Sequence, residues 1–585
     1  MKNLFKKHWL AIIFAIVVGL FMIGPHLFFI YSLGDSYGGI YQMRTDSESI
    51  YIARIQEIID GHPLMGAVPY AEYKDRPPLL PPTLYDFIMA GASMILKISL
   101  PAVILMSKFF LPAFLFLLIY WLIFLINNKF GSGWPLKITA IAGSLTVLLA
   151  YDLTGFISKL SEIKNVSLFL LWSRPLNPIT GGILLTFLMI ILWKSRNDQK
   201  IIFKKILIGG ILFAPIISSY FFSWGLALAI MACWAILQFI VRRKVSAYSV
   251  ILMILVGFII SLPYFYLANL SSTHPDYSYA AVKMGLFHSH TPIFSLIILV
   301  IAILLFFVVI FRNGLWHDDW WRFSVALTVG GVIALNQQII TGVTVWPFHF
   351  IQYIKTFSAI ILFIFIYQVI RPLIPSRVYI FLLILVILGS LLFGIFWQAA
   401  AYRNSFAFYS EREQFGDFFR WLNEKTPRDC VVLGQDDIFY TFFLWIPAFT
   451  HCNSAVNSNN HYIVPPERIF NDYLVILRMR GIKAKDIEAY INKNRDYAMD
   501  FIFGSQDNYP VSDEYRQAEY QNKVLGRIIE EYPEFLRNDF LIELKKYRVD
   551  YIVSNGPLQS GVLKSLHLSL PTQTFGKILV YKMPY

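Results

Sequence analysis

Charge is what this chain has least of. Across 585 residues, Asp, Glu, Lys and Arg together make up 15%, against 57% hydrophobic residues. That excludes an ordinary soluble domain, in which charged side chains supply roughly a quarter of the sequence. Cysteine is scarce as well: Cys233, Cys430 and Cys452 are the three present, with no paired C-x-x-C spacing. A zinc finger and a disulfide-dense secreted scaffold are both excluded by that count. Heptads, low-complexity tracts and internal repeats are missing too. The N-terminal apolar stretch after Lys6 and Lys7 is too long for a signal-peptide core and has no small-residue cleavage site behind it. It reads as a retained first span, preceded by a cytoplasmic N-terminus.

What the chain does have is long apolar runs, each of the length a helix needs to cross a bilayer. Eleven spans are expected, at about 9–32, 101–126, 135–155, 177–194, 203–220, 222–241, 246–269, 292–311, 322–341, 352–370 and 378–398. The run from Lys205 to Val241 is too long for one crossing, so it is split into a hairpin near Ser218 to Ser223. The net charge of +13 does not point to nucleic acid, because the basic residues fall in alternate short connectors. Lys129 and Lys137, then Arg196 and Lys205, then Arg243, then Arg312 and Arg322 make a consistent cytoplasmic set.

With eleven spans, a long first loop, residues 34–100, and a tail, residues 400–585, share the extracytoplasmic side. The tail is rich in charge and Tyr. "VVLG", "YRVDYIVSN" and "FGKILVYKM" read as short strands between helices, giving a small α/β domain after a transmembrane domain over residues 1–399. In an oxidising compartment Cys430 and Cys452 are able to pair.

The first loop carries the densest signals. In "RTDSESIYIARIQE" Thr45 and Glu48 form a capping box that starts a helix, with Asp46 in its first turn. Tyr51, Ile52, Ile55, Ile58 and Ile59 share one side of that helix, and Asp46, Glu57 and Asp60 the other, as in a helix lying on a membrane surface. Next comes "KDRPPLLPP", in which Lys74 and Arg76 precede two stiff Pro-Pro pairs and suit a lipid phosphate.

"TDSESIYIARIQEIIDGHP" followed by "KDRPPLLPP" resembles the acidic-xxxYxxxA and basic-Pro-Pro-Leu pattern of GT-C superfamily membrane glycosyltransferases, in the protein mannosyltransferase and aminoarabinose transferase branch. The match covers about fifty residues, and the rest is agreement of architecture. The resemblance implies a polytopic GT-C-like fold. It also implies a polyprenyl-phosphate-linked sugar donor and transfer to a lipid, glycan or protein of the cell envelope on the extracytoplasmic face. Asp46 takes the acidic position and Arg76 the basic one. Ser47 separates Asp46 from Glu48 where the branch commonly has adjacent acids, so both carboxylates are catalytic candidates.

The chemistry is consistent with those residue types. Displacing a lipid phosphate from an anomeric carbon needs a carboxylate to accept the acceptor's proton and cations to stabilise the leaving phosphate. Asp46 and Glu48 together would also suit a divalent cation, Mg2+ or Mn2+. Four further residues complete the substrate-binding set: Asp35 after the first span, Arg174 in "LWSRPLNP", and Gln338 and His349 in "NQQIITGVTVWPFHF". His274, Asp276, His288 and His290 match no zinc spacing and read as part of a loop over the site. Rival readings are a lipid-linked glycan flippase or other transporter, and a polysaccharide polymerase or ligase.

Overall fold

The structure is a computed structural model describing residues 2–45, 48–128, 133–150, 165–311, 318–434, 445–457, 461–504 and 518–584. Asp46, Lys129 and Arg312 lie outside the described residues.

Each expected span overlaps a helical element, with 151–155 of the third lying outside the described residues. In chain order, with two first-loop helices included, these are α1 (Lys2–Leu33), α2 (Glu48–Asp60), α3 (Leu84–Leu96), α4 (Leu100–Asn127), α5 (Trp134–Leu149), α6 (Ile179–Ser195) and α7 (Phe203–Ser219). They continue as α8 (Phe221–Ile240), α9 (Lys244–Ile260), α10 (Leu262–Ser272), α11 (Tyr277–Met284), α12 (Leu296–Phe311), α13 (Asp319–Leu335), α14 (Phe348–Phe365) and α15 (Ser376–Arg412). Six spans are long and apolar enough to cross a membrane by themselves, and α9 with α10, bent by 57°, makes a seventh. The other four, α5, α6, α7 and α12, have 16 or 17 residues, at the lower limit for a bilayer. The chain is therefore a multi-pass membrane protein, and the expected count of eleven full crossings is not reached among the described residues by length and composition.

Local chemistry sets the breaks. Pro follows the first residue of both α4 and α5, where its missing N–H costs nothing. The 203–241 run divides at Tyr220, whose extended backbone (φ −164°, ψ 121°) separates α7 from α8. The two then pack as the expected hairpin. At the end of the bundle away from the first loop, Asp319 accepts from Arg196 at 3.2 Å, from Arg243 at 2.6 Å and from Arg322. Three residues of the expected basic set are thus gathered on one face.

The tail follows α15 without a break, so residue 399 falls inside a helix. Its sheet has the order β4-β3-β5-β7-β6, with β3 (Val431–Gly434), β4 (Asn453–Ser454), β5 (Tyr551–Asn555), β6 (Gln573–Phe575) and β7 (Ile578–Lys582). The β3 strand pairs parallel to β4 and β5, while β7 runs antiparallel to β5 and β6. Three of these strands lie on the three segments read from the sequence. Cys430 and Cys452 form a disulfide beside β3 and β4.

Two large apolar cores, and a small cluster of Leu79, Ala280 and Ile463, occur among the described residues. One fills the helix bundle. The second joins the first loop, through Tyr41, Ile52, Ile55 and Tyr70, to the tail, through Phe418, Val432, Trp445 and Leu477. The join is close: a Cβ on Gly38 would meet the Gly416 Cα at 2.9 Å, and Glu413 accepts from the Gly38 N–H at 2.6 Å.

This second core corrects the expected surface-lying α2. Ile52 and Ile55 are fully buried, and so is Glu48, while Glu57 is nearly so. The helical periodicity presumed water on the polar side. Instead Lys108 of α4 and Lys74 cover it, so the helix is wedged between the bundle and the tail.

Candidate active site

The first loop frames a cavity of about 750 Å³. Its wall runs from Tyr51 and Arg54 of α2, through Leu80, Pro81 and Thr83, to Tyr85 and Asp86 of α3. It then descends along α8, where Trp224, Gly225, Leu228, Ala229 and Ala232 form one helix face about 12 Å long at 1.5 Å per residue. Tyr277, Met284 and Leu286 border it from the loop after α10, and Val343, Thr344 and Trp346 from the loop before α14. These two loops are joined by a two-stranded sheet of β1 (Leu286–His288) and β2 (Val343–Val345). His461 closes the wall from the tail.

Arg54 organises the polar end. Its Nη1 donates to the Leu80 carbonyl at 2.9 Å, and its Nη2 to the Pro81 carbonyl at 3.1 Å and to Asp86 Oδ2 at 3.3 Å. Prolines supply no N–H to neighbouring carbonyls, so a guanidinium fork is a natural partner for a Pro-rich turn. Asp86 belongs to a capping box: Thr83 Oγ1 accepts from the Asp86 N–H at 3.2 Å, and Asp86 Oδ2 accepts from the Thr83 N–H at 2.9 Å. Beside this end the Arg174 guanidinium lies 5.1 Å from the centre of the Tyr51 ring. His461 is pushed down to about 4, chiefly by burial and also by Arg54 and Arg174, so its imidazole is neutral at physiological pH.

The expected site residues divide into two groups. Arg174 and His349 lie around the cavity: His349 Nδ1 pairs with the hydroxyl of Tyr220, a wall residue, and its ring stacks on Phe222 at 4.8 Å. Gln338 lies one residue from the wall residue Gln337 and is itself buried, donating to the Thr291 carbonyl at 2.9 Å. Lys74 and Arg76 do not line the cavity. Lys74 is buried against Glu57 and donates to the Val68 carbonyl at 2.7 Å, while Arg76 donates to Asp276 Oδ2 at 2.6 Å and lies over Tyr73. Asp35 is exposed in a turn after α1.

Glu48 is also held elsewhere. Its Oε1 accepts from the Arg44 N–H at 2.8 Å, and its Oε2 from Lys108 Nζ at 3.3 Å, with both charged side chains fully buried. The capping residue of the sequence motif therefore reaches back one residue further than expected, and α2 begins at Glu48 itself. Both Glu48 oxygens are thus engaged by the protein, and Asp46, its expected partner in holding a cation, lies outside the described residues. One other group of ligand-type atoms, Cys430, His451 and Cys452, occurs among the described residues, and its two sulfurs are bonded to each other.

Arg54, Asp86, Tyr220 and His461 were not anticipated. Thr83-x-x-Asp86 was readable as a capping box, and Tyr51 with Arg54, three residues apart, as one helix face. No local signal marks Tyr220 or His461.

An integral membrane protein with a cavity under a folded loop is the class these features define. No protein-family model matches the sequence, and no curated protein is similar to it in sequence. Several solved structures are similar to it in fold, among them these three. The apo oligosaccharyltransferase of Archaeoglobus fulgidus has a TM-score of 0.46 at 13% identity, over 94% of this chain and 69% of that one. ArnT of Cupriavidus metallidurans bound to undecaprenyl phosphate also has a TM-score of 0.46, at 10% identity, over 99% of this chain and 98% of that one. The A. fulgidus oligosaccharyltransferase AglB, in complex with an inhibitory peptide and a dolichol-phosphate, has a TM-score of 0.41 at 14% identity, over 94% and 70%.

Proposed function

We propose that this protein is a glycosyltransferase that moves a sugar from a polyprenyl-phosphate carrier to a cell-envelope acceptor, on the extracytoplasmic face that carries the first loop and the tail. The observation that carries the reading is the polarity of the cavity along its length. An apolar stripe of α8 suits a prenyl tail, and it leads up to Tyr51, Arg54 and Tyr220, which suit a phosphate and a sugar.

In the proposed reaction Asp46 accepts the proton of the acceptor hydroxyl as its oxygen attacks the anomeric carbon. The bond from that carbon to the phosphate oxygen breaks, and polyprenyl phosphate leaves with the electron pair. Arg174 stabilises the phosphate charge as it develops. His349 acts through Tyr220, whose hydroxyl it orients at the wall. Lys74 and Arg76 position the Pro-rich turn through Glu57 and Asp276 and leave the phosphate to Arg174.

Incubation of the purified protein with radiolabelled polyprenyl-phosphate sugars and membrane extract tests the reading. Asp46→Asn should lower transfer by about 10²–10⁴-fold, the usual worth of a general base. Asp35→Asn should leave transfer within about twofold, as expected for an exposed turn residue. Wild-type transfer by Asp46→Asn, with loss in Asp35→Asn, would reverse the assignment.

A further inference from the structure

Around the site, four buried or half-buried carboxylates pair with basic side chains. Glu48 pairs with Lys108, Glu57 with Lys74, Asp86 with Arg54 and Asp276 with Arg76. Among the described residues Asp86 is the one carboxylate on the cavity wall, and its Oδ2 already serves both Arg54 and the Thr83 N–H. Besides Arg54, the neutral imidazole of His461 and the indole of Trp346, the polar wall is made of hydroxyls and amides, among them Tyr51, Tyr220, Asn177, Gln337 and Thr344. Thr344 is buried, and its hydroxyl has no hydrogen-bond partner. Arg174 adds positive charge beside Tyr51.

We infer that the donor sugar is uncharged or acidic, and that this cavity rejects a sugar bearing a free ammonium group. The inference rests on the lipid-linked donor reading above and names the substrate class of that site. An ammonium on the sugar would be desolvated next to two guanidinium groups, and the one carboxylate on the described wall, Asp86, already has its charge balanced by Arg54. Hydroxyls meet the reverse situation, since the wall offers both donors and acceptors to them. Nor is Asp46 available as a counter-ion: a cation held against it would depress its basicity and weaken the proton acceptance assigned to it.

The test measures binding to the full-length protein in detergent by competition with radiolabelled polyprenyl phosphate. The competitors are synthetic polyprenyl-phosphate donors carrying a neutral hexose, a hexuronic acid, an amino-pentose, and the same amino-pentose N-acetylated. At pH 7 the amino donor should bind at least about tenfold more weakly than its acetylated twin, as expected for an uncompensated buried charge. The hexose and hexuronate donors should bind like the acetylated one. Thr344→Asp should narrow or reverse the gap, and Thr344→Asn, of similar size and no charge, should not. Equal or tighter binding of the free amino donor to the wild-type protein overturns the inference while leaving the donor reading intact. Failure of all four donors to compete overturns both. If Thr344→Asp does not fold, the comparison within the wild-type protein still decides.

Discussion

Two stretches of the first loop each bury a basic side chain, and they use it differently. Lys74 and Arg76 lie off the cavity wall and tie the loop to α2 and to the segment before α11, through Glu57 and Asp276. Around Arg54 a single guanidinium spans two carbonyls and a carboxylate, and it does so on the cavity wall. Both stretches stiffen the loop, but only the second also shapes the space in which a ligand would lie. A basic residue next to a Pro-Pro motif is therefore a weaker sign of ligand contact than a basic residue whose partners lie around a cavity.

Breaking Arg54 should give the largest effect. Arg54→Ala leaves Asp86 buried without its cation and frees the Leu80 and Pro81 carbonyls. A cost of about 3–5 kcal/mol is expected in thermal or denaturant unfolding, together with loss of donor binding. Lys74→Met comes next and has a pH signature. Burial pushes Glu57 up to about 7, even with Lys74 alongside. Its folded value lies above the unfolded one, so its contribution is fully present below about 4.5 and is lost as pH rises through 7. Lys74→Met enlarges that loss, so the variant should be near wild-type stability at pH 5 and less stable by about 1–3 kcal/mol at pH 8. A cost that is the same at both pH values would show that Glu57 does not titrate in this range.

Arg76→Met should cost less, about 0.5–1 kcal/mol, because its pair with Asp276 is partly open to water. Its donor affinity should stay within about threefold of wild type, as for a residue off the cavity wall. Loss of binding in a stably folded Arg76→Met protein would erase the contrast between the two stretches. The smallest effect concerns His461. Its folded value of about 4 lies below the ordinary 6.5. Its contribution is therefore complete above 6.5 and falls as pH drops toward 4. His461→Asn should flatten that part of the stability profile, as read by thermal melts between pH 4 and pH 7.

Much of the fold was legible because the bilayer imposes a length on every apolar run. All eleven runs became helical elements, and even the break at Tyr220 followed from a run too long for one crossing. The tail's β3, β5 and β7 were legible as short apolar strands. Less of the site was legible, because its logic lies in long-range pairs. Glu48 meets Lys108 sixty positions on, and Arg76 meets Asp276 two hundred positions on, so neither pairing leaves a local pattern. Arg54 was hidden for a related reason: helical periodicity separates faces but does not say what covers the polar one.

The central claim is that the cavity along α8 holds the prenyl tail below the first loop. The most direct measurement is saturation binding of radiolabelled polyprenyl phosphate to the purified protein and to Ala229→Trp, which places an indole across the apolar stripe. A second variant, Phe306→Trp, alters an exposed face of α12 that lies off the cavity wall. The account predicts saturable binding to the wild type and to Phe306→Trp, and at least about tenfold weaker binding to Ala229→Trp, since a filled cavity excludes the tail. Undiminished binding to a folded Ala229→Trp protein would contradict it.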